Sequence, residues 1–307
     1  MKKFLIKISF FILPILVFLG FFELGLRSIP NNYSYKNKIL KTNYQGVILG
    51  NSHSYRGVLA ENISFKTVNL SNVSQSVDID LLWLKEAIKY NDLDFIILNF
   101  SIPTLFGKLD EGTENWRVRY YNIYTDLWLS YGINNNLELA NNESLDNFQT
   151  LYKYFIQKQK VNSVTCDSLG SYPLDVFTEN INEQSITSAK RHTKKPVHFH
   201  KRNLTYLNEI IGITENNNIQ VFMVTLPAYS TYRESLNVEH KILFYEIGTK
   251  LSLQQNVVWI NHFYDEEFDQ SLFKDGDHLN LLGAQKFTEI LNKELLNYFK
   301  HKNDQRN

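Results

Sequence analysis

Residues 46–54 read Gly-Val-Ile-Leu-Gly-Asn-Ser-His-Ser. A short apolar run ends at a glycine and continues into sequence compatible with a helix, which predicts a buried strand followed by a tight turn. Ser52 would then lie at the carboxyl edge of a sheet, where backbone N–H groups and the start of the next helix favour a developing negative charge. Serine is also a good helix cap, so this stretch alone leaves a nucleophile and a simple capping residue both open.

Four further apolar runs repeat the strand pattern along the chain. The predicted strands cover residues 47–50, 67–70, 95–100, 220–226 and 257–260. Apolar residues at helical spacing mark the predicted helices, which cover residues 78–90, 202–216, 234–253 and 281–299. Because strands alternate with helices, the sequence predicts an α/β fold with a parallel sheet covered on both faces. In such sheets the chemistry lies outside the carboxyl ends of the strands.

A second informative stretch, residues 273–283, reads Phe-Lys-Asp-Gly-Asp-His-Leu-Asn-Leu-Leu-Gly and precedes the last predicted helix. Asp275 and His278 are three residues apart there. This spacing lets the carboxylate bond one ring nitrogen while the other nitrogen faces a serine hydroxyl, which needs such a base to take its proton. Taken alone, the stretch is equally compatible with a helix start that carries a capping aspartate.

Together, the strand-Gly-x-Ser pattern and the Asp-x-x-His pattern resemble the SGNH/GDSL hydrolase superfamily, over about residues 45–103 and 202–300. The resemblance implies a three-layer α/β/α, flavodoxin-like domain with a parallel five-stranded sheet. It also implies that Ser52 is the nucleophile, His278 the general base and Asp275 the residue that orients the base. The chemistry it implies uses no cofactor.

The residues that would hold an oxyanion depart from the usual pattern. Residues 69–76 read Asn-Leu-Ser-Asn-Val-Ser-Gln-Ser. They are similar to a membrane-anchored subgroup of bacterial surface-polysaccharide proteins, in which Asn-x-Ser-Gln-Ser replaces the second-motif glycine. Ser74 or a neighbour would then supply the N–H of that glycine. Asn99, after the third strand, and Asn51 are the other candidates for holding the oxyanion or the substrate.

Several other polar residues each leave two interpretations open. His53 adjoins the nucleophile and Asp277 adjoins the base, and each either faces the substrate or makes a local hydrogen bond. The basic run at 190–202 either grips carboxylates or phosphates of a glycan or lipid, or is a solvated loop. His198 and His200 share a face if extended, but no third ligand is evident, so we expect no metal site.

The amino terminus is the most apolar part of the chain. Residues 4–22 carry almost no polar side chain and predict an export signal or an anchor. No small-x-small cleavage site follows, and the only cysteine, Cys166, lies far downstream, so we expect an uncleaved anchor over residues 1–27. A buried first helix of a soluble protein is the alternative. The lysines that precede the apolar centre place the rest of the chain outside the cytoplasm by the positive-inside rule.

The remaining chain is expected to form a polar stalk at 28–44 and one α/β domain at 45–303. The alternation of strands and helices breaks at about 104–201, a stretch rich in Tyr, Trp and Asn that predicts a helical insertion over one end of the sheet. This insertion either shapes a substrate cleft or packs its aromatics into a core of its own. Four of its side chains are candidates for stacking on sugar rings, with core packing as the alternative: Trp116, Arg117, Arg119 and Tyr120.

Composition narrows the function. The chain has 32 Lys and Arg against 32 Asp and Glu, so no net field recruits nucleic acid. A single cysteine excludes an intramolecular disulfide framework and a CxxC site. Together with the predicted anchor, the resemblance to SGNH/GDSL hydrolases implies an ester hydrolase or O-acyltransferase on the outer face of the cytoplasmic membrane, acting on acyl esters of cell-surface polysaccharide. The alternative is a non-catalytic glycan-binding or polysaccharide-assembly protein on a retained SGNH fold.

Hydrolysis and acyl transfer differ in the second acceptor, which is water or a sugar hydroxyl. Acyl-CoA is cytosolic, and a single span cannot carry an acyl group across the membrane. A transferase would therefore need a membrane partner that supplies the acyl donor.

Overall fold

The five predicted strands form one parallel sheet. The computed structural model describes residues 2–129, 132–140, 144–161, 164–175 and 178–304. The strands are β1 Gly46–Leu49, β2 Thr67–Asn69, β3 Phe95–Asn99, β4 Gln220–Thr225 and β5 Val257–Asn261. Their order is β2-β1-β3-β4-β5, all pairs parallel, which is the flavodoxin-like arrangement. The predicted fold class is confirmed.

Helices connect the strands and flank the sheet. They are α1 Lys2–Arg27, α2 Asn32–Ile39, α3 Ser52–Gly57, α4 Val77–Tyr90, α5 Ile102–Phe106, α6 Val118–Tyr124, α7 Ser144–Leu151, α8 Ile181–His192, α9 His200–Asn216, α10 Ser230–Ser235, α11 Val238–Leu251 and α12 Leu281–Asp304. The single helix predicted at 234–253 is wrong: α10 ends at Ser235 and α11 begins at Val238. The break has a local cause, because the Asn237 side chain accepts hydrogen bonds from the Glu239 and His240 N–H groups and so caps α11.

The sheet is the middle of three layers. Helix α12 covers one face, where Phe287, Leu291 and Leu295 join a buried cluster with inward-facing strand residues such as Ile48 and Phe222. Helices α4 and α9 contact each other. Helix α4 also contacts β1, α9 contacts β4, and α11 contacts β5. Because every residue of β1, β3 and β4 is buried, these strands read as continuous apolar runs rather than alternating ones.

The chain divides into two compact units. Unit 1 comprises Met1–Asn37 and Asn115–Thr165, and unit 2 comprises Lys38–Glu114 and Cys166–Asn307. Unit 2 contains the sheet. The predicted insertion at 104–201 is therefore not one body, since its middle part belongs to unit 1 and its last part to unit 2.

Unit 1 contains the apolar amino-terminal helix. Within α1, the stretch Ser9–Arg27 has a mean hydropathy of 2.2 and is long and apolar enough to cross a membrane. Residues 28–44, expected as a stalk, instead contain α2, on which Tyr33 and Lys36 are buried. The start of α2 is capped locally, because the Asn31 side chain accepts from the N–H of Tyr33 at 2.9 Å.

Candidate active site

A strained turn presents Ser52 at the carboxyl end of β1. Gly50 has a φ of 132°, a conformation that favours glycine, and a Cβ there would overlap the side chain of Asn99. Asn51 then caps α3, accepting from the N–H of His53 at 3.0 Å. Ser52 is thus the first residue of α3, at the strand-to-helix turn that the sequence predicts.

The structure brings the two predicted motifs into direct contact. The His278 Nε2 atom lies 2.8 Å from the Ser52 hydroxyl oxygen, although the two residues are 226 positions apart. The His278 Nδ1 atom lies 2.8 Å from an Asp275 carboxylate oxygen. A carboxylate only accepts, so Nδ1 carries the proton and Nε2 is left as the acceptor for the serine O–H. This is the geometry of a nucleophile, a base and an orienting acid.

The same carboxylate also holds the backbone of its own loop. One Asp275 oxygen accepts from the N–H of His278 at 3.0 Å, and the other lies 3.2 Å from the Lys274 ammonium. Burial opposes ionisation of Asp275, but the His278 imidazole and the Lys274 ammonium outweigh it and hold the pKa of this carboxyl below its ordinary value. Asp275 is therefore a carboxylate at neutral pH and can orient the imidazole.

A second carboxylate, Asp277, lies beside the first but does not replace it. Its nearer oxygen is 3.7 Å from His278 Nδ1, too long for a hydrogen bond, whereas the Asp275 oxygen is 2.8 Å away. Asp277 instead accepts from His53 Nε2 at 3.2 Å. His53 thus makes the local hydrogen bond that was one of its two interpretations, and it also lines the cavity described below.

A buried imidazole completes this second cluster. His192 Nδ1 lies 3.8 Å from Asp277 and shares a hydrogen bond of 2.8 Å with the Tyr232 hydroxyl. Burial lowers the pKa of His192 to about 3 and also lowers the pKa of His53, so both rings are neutral at pH 7. Burial raises the pKa of Asp277, but His278 and the His53 hydrogen bond bring it well below the ordinary value.

Another buried acid, Asp80, holds the turn that precedes Ser52. Asp80 is 1% exposed and accepts from the Gly50 N–H at 2.8 Å and from the Gln75 amide at 2.6 Å. Burial raises the pKa of Asp80 to about 7, against the opposing effect of these two hydrogen bonds. The carboxyl group thereby connects the turn before Ser52 with the 69–76 stretch.

The candidates for holding an oxyanion occupy different positions. Ser74 lines the cavity, has a φ of 56° and donates its hydroxyl to Glu114 at 2.6 Å. Within the described residues, neither the Ser74 N–H nor the Ser52 N–H donates a hydrogen bond. Asn51 also lines the cavity, but its amide group already bonds Ser101 and caps α3.

Asn99 is fully buried and is not among the residues that line the cavity. Its side-chain oxygen accepts from Ser101 at 2.9 Å, whereas its amide nitrogen has no partner in the described part of the chain. Asn99 therefore holds the segment that follows β3, and its part in oxyanion binding stays a prediction.

A cavity of about 1070 Å³ opens onto the Ser52 hydroxyl. The described residues that line it all belong to unit 2: the start of α3, the 73–76 stretch, the 103–114 segment, α8 with the residues after it, and the 275–278 loop. A volume of this order accommodates a ligand of several rings.

The basic run at 190–202 contributes to this cavity. Arg191, Lys194 and Lys195 line it, and Lys195 and Arg202 each pair with Glu111, at 2.8 and 2.7 Å. His200 Nδ1 bonds the backbone carbonyl of Val197 at 2.7 Å.

One group of side chains has metal-ligand spacing. His53, Asp277 and His278 offer ligand atoms within 4.8 Å of one another. Their nitrogens are already bonded, however, His53 to Asp277 and His278 to Ser52 and Asp275. An ion here would have to break the Ser52–His278–Asp275 series.

Two residues of this region, Arg56 at the cavity and Tyr232 behind it, were not singled out from the sequence. Arg56 lies one helical turn after Ser52 on α3, and this i,i+4 spacing was a readable signal. Tyr232, on α10, shares a hydrogen bond with His192, which lies beside the His53–Asp277 pair. No local sequence pattern predicts that contact.

Comparisons with known proteins give structural matches only. No protein-family description matches the chain, and neither does any curated protein. Among solved structures, one match is described as "a putative platelet activating factor from Streptococcus pneumonia", with 13% identity, 94% of this chain and 98% of that chain covered, and a TM-score of 0.43. Another is "a putative acylhydrolase" from Bacteroides fragilis, with 11% identity, 90% and 95% coverage and a TM-score of 0.40. Both TM-scores are below 0.5, so the function proposed next rests on the geometry of the cavity.

Proposed function

We propose that this chain is a serine-dependent ester hydrolase or O-acyltransferase of the SGNH/GDSL type. The observation that carries the proposal is the unbroken hydrogen-bonded series Ser52, His278 and Asp275, with 2.8 Å at each link, at the wall of a large cavity. A binding protein has no need of a nucleophile, a base and an orienting acid in this order.

The geometry supports a two-step reaction. The Ser52 hydroxyl oxygen attacks the ester carbonyl carbon while its proton passes to His278 Nε2. In this proposal the N–H groups of Ser52 and Ser74, two residues that line the cavity, stabilise the tetrahedral oxyanion. The carbon–oxygen bond then breaks, and the imidazolium returns the proton to the departing alcohol. Water or a sugar hydroxyl attacks the acyl-serine in the same way and regenerates the serine.

The proposed setting is the outer face of the cytoplasmic membrane, with acyl esters of cell-surface polysaccharide as substrates. The apolar helix that ends at Arg27 and the lysines that precede its apolar centre support this orientation. A membrane-impermeant lysine reagent on intact cells tests it. We expect modification of exposed lysines such as Lys300, and a chain that reacts only after lysis would contradict the orientation.

A fluorophosphonate probe tests the nucleophile in the full-length chain in detergent micelles. We expect one adduct by intact mass in the wild type and none in Ser52→Ala. His278→Ala should slow labelling and ester turnover by at least about 1000-fold, because the hydroxyl loses its base.

Ser54→Ala is the matched control. Ser54 lies on the same helix, is fully buried, and its hydroxyl has no hydrogen-bond partner in the described residues, so its loss should leave labelling intact. Absence of an adduct on folded wild-type protein would contradict the proposal and favour the glycan-binding alternative. Full activity in Ser52→Ala would contradict the assigned nucleophile.

A further inference from the structure

Two arginines line the cavity without a carboxylate partner among the described residues. Arg56 comes from α3 and Arg191 from α8, so they belong to different walls of the cavity. Arg56 is partly buried, where a cation without a counter-charge is unfavourable, whereas Arg191 is exposed to solvent. The counter-charge that Arg56 lacks in the described residues can arrive with a ligand, to which Arg191 is open.

Arg56 is the closer of the two to the nucleophile along the chain. It follows Ser52 by four residues on the same helix, which places the two side chains on one face with about 5 to 6 Å between their Cβ atoms. Its Nε atom is buried, and within the described residues it has no hydrogen-bond partner. The donors available to a group in the cavity are the two terminal nitrogens, for which the described residues provide no acceptor.

Arg191 likewise makes no ion pair with an acidic side chain in the described residues. One of its terminal nitrogens contacts the Ser188 hydroxyl at 3.4 Å and His192 Nε2 at 3.5 Å, both long for hydrogen bonds. Glu183, an acid on the same helix and the same cavity wall, makes no ion pair with it in the described residues.

Two lysines of the cavity differ from these arginines. Lys195 lies 2.8 Å from Glu111, and Lys108 lies 2.7 Å from Asp110, so both charges are paired within the protein. Lys194 also lines the cavity, but it is exposed and makes no ion pair within the described residues. Arg56 differs from all three lysines because it is partly buried and its buried Nε has no acceptor in the described part of the chain.

We propose that the ester substrate carries an anionic group, a phosphate or a carboxylate, which Arg56 and Arg191 bind while the ester carbonyl faces Ser52. This inference rests on the proposed function and names the substrate class for it. Guanidinium groups match both anions because two parallel N–H donors face two oxygens. In a preferred substrate the ester group therefore lies within a few covalent bonds of the anionic group.

The test compares three acetyl esters on the full-length chain in detergent: those of glycerol phosphate, glucuronic acid and glucose. We expect kcat/KM for at least one anionic ester to exceed that for the glucose ester by 10-fold or more. Arg56→Gln and Arg191→Gln should each reduce this ratio about 10-fold, mainly through KM for the anionic ester. The better of the two anionic esters distinguishes phosphate from carboxylate.

Lys195→Gln is the matched control, because it removes a cavity cation whose charge is already paired, and it should leave the ratio within about 3-fold of the wild type. Arg56→Lys, which keeps the charge but loses the fork, should fall between the wild type and Arg56→Gln. A wild-type ratio near one, or a ratio unchanged in both arginine variants, would overturn the inference.

Fluorophosphonate labelling separates this inference from the proposed function. Millimolar inorganic phosphate, at constant ionic strength, should slow labelling of Ser52 in the wild type and slow it less in Arg56→Gln. Labelling that phosphate does not affect would overturn the anion site while leaving the nucleophile in place. No labelling under any condition would instead remove the proposed function itself.

Discussion

The stretch 104–201, which was expected to form one insertion, contains two parts with different roles. Residues 115–165 pack with the amino-terminal helices in unit 1, where Tyr33 stacks on Tyr120 with ring centroids 5.2 Å apart. Residues 166–201 belong to unit 2, where α8 forms a wall of the cavity and His192 approaches Asp277. Part of the aromatic-rich stretch thus packs into a core, as Tyr121 does, although Trp116 is 44% exposed, and the part with few aromatics builds the site.

This difference shows how composition can mislead a search for a binding site. Aromatic side chains suggested stacking on sugars, yet the Arg119 guanidinium lies over the ring of Tyr120 and is 5% exposed. Apart from its basic end, the polar stretch at 181–192 was not singled out from the sequence, although six of its residues line the cavity that contains the nucleophile: Glu183, Gln184, Thr187, Ser188, Arg191 and His192. If this comparison is right, substitutions in the second part should change activity, and substitutions in the first should change only the stability of unit 1.

Of the effects that this comparison predicts, the largest comes from the contact between α8 and the loop that carries Asp275 and His278. A Cβ on Gly276 would overlap the Ser185 hydroxyl and lie 2.5 Å from the Ser185 Cα atom. Gly276→Ala should therefore displace the loop that carries Asp275 and His278, and a shift of about 1 Å can reduce turnover by about 100-fold. Steady-state hydrolysis of a neutral ester measures this loss.

Gly212→Ala is the control for this substitution, since nothing lies within 4 Å of a Cβ built on Gly212 and alanine is favoured within a helix. It should keep full activity. Combining Gly276→Ala with Ser185→Gly removes two of the three overlaps, those with the Ser185 Oγ and Cβ atoms, and should recover part of the loss. An active Gly276→Ala enzyme would show that α8 does not fix the loop.

The strands and the catalytic pair could be predicted because their signals are local. Each observed strand lies within one residue of its predicted bounds, since a buried parallel strand reads as a short apolar run. Ser52 and His278 each lie in a recognisable motif. The division of 104–201 could not be predicted, because its two parts pack against elements far away in sequence. The unpaired state of Arg56 likewise depends on which acids fold close to it.

A smaller effect on stability should appear at acidic pH and should be confined to the second part of the stretch, residues 166–201. Burial lowers the pKa of His192 to about 3, so between about pH 6.5 and 3 the unfolded chain binds the proton that the folded one excludes. Stability from this residue is complete above pH 6.5 and falls by at most about 1.4 kcal/mol per pH unit as the pH decreases. Hydrogen exchange of peptides from 181–192 measures this slope.

His192→Phe removes the titrating group and should flatten the slope, even though the Tyr232 hydroxyl loses its partner and the variant is less stable at pH 7. His301→Gln, at an exposed position of α12, should leave the slope unchanged. Equal slopes in the wild type and His192→Phe would mean that another group, such as His53, causes the acid sensitivity.

The smallest expected effect lies at the end of the apolar helix in unit 1. The Glu23 carboxylate is 8% exposed and accepts from the N–H groups of Glu138 and Leu139 at 3.0 and 2.9 Å. Glu23→Ala leaves both donors without this acceptor and should destabilise unit 1 by about 1 to 3 kcal/mol. Hydrogen exchange at 138–140 should accelerate accordingly, while exposed Glu289→Ala should change nothing. The labelling rate of Ser52 should stay at the wild-type value in Glu23→Ala, because every described residue that lines the cavity belongs to unit 2. A fall in that rate would instead mean that the part of the chain packed on the apolar helix also governs the site, and the functional contrast between 115–165 and 166–201 would be lost.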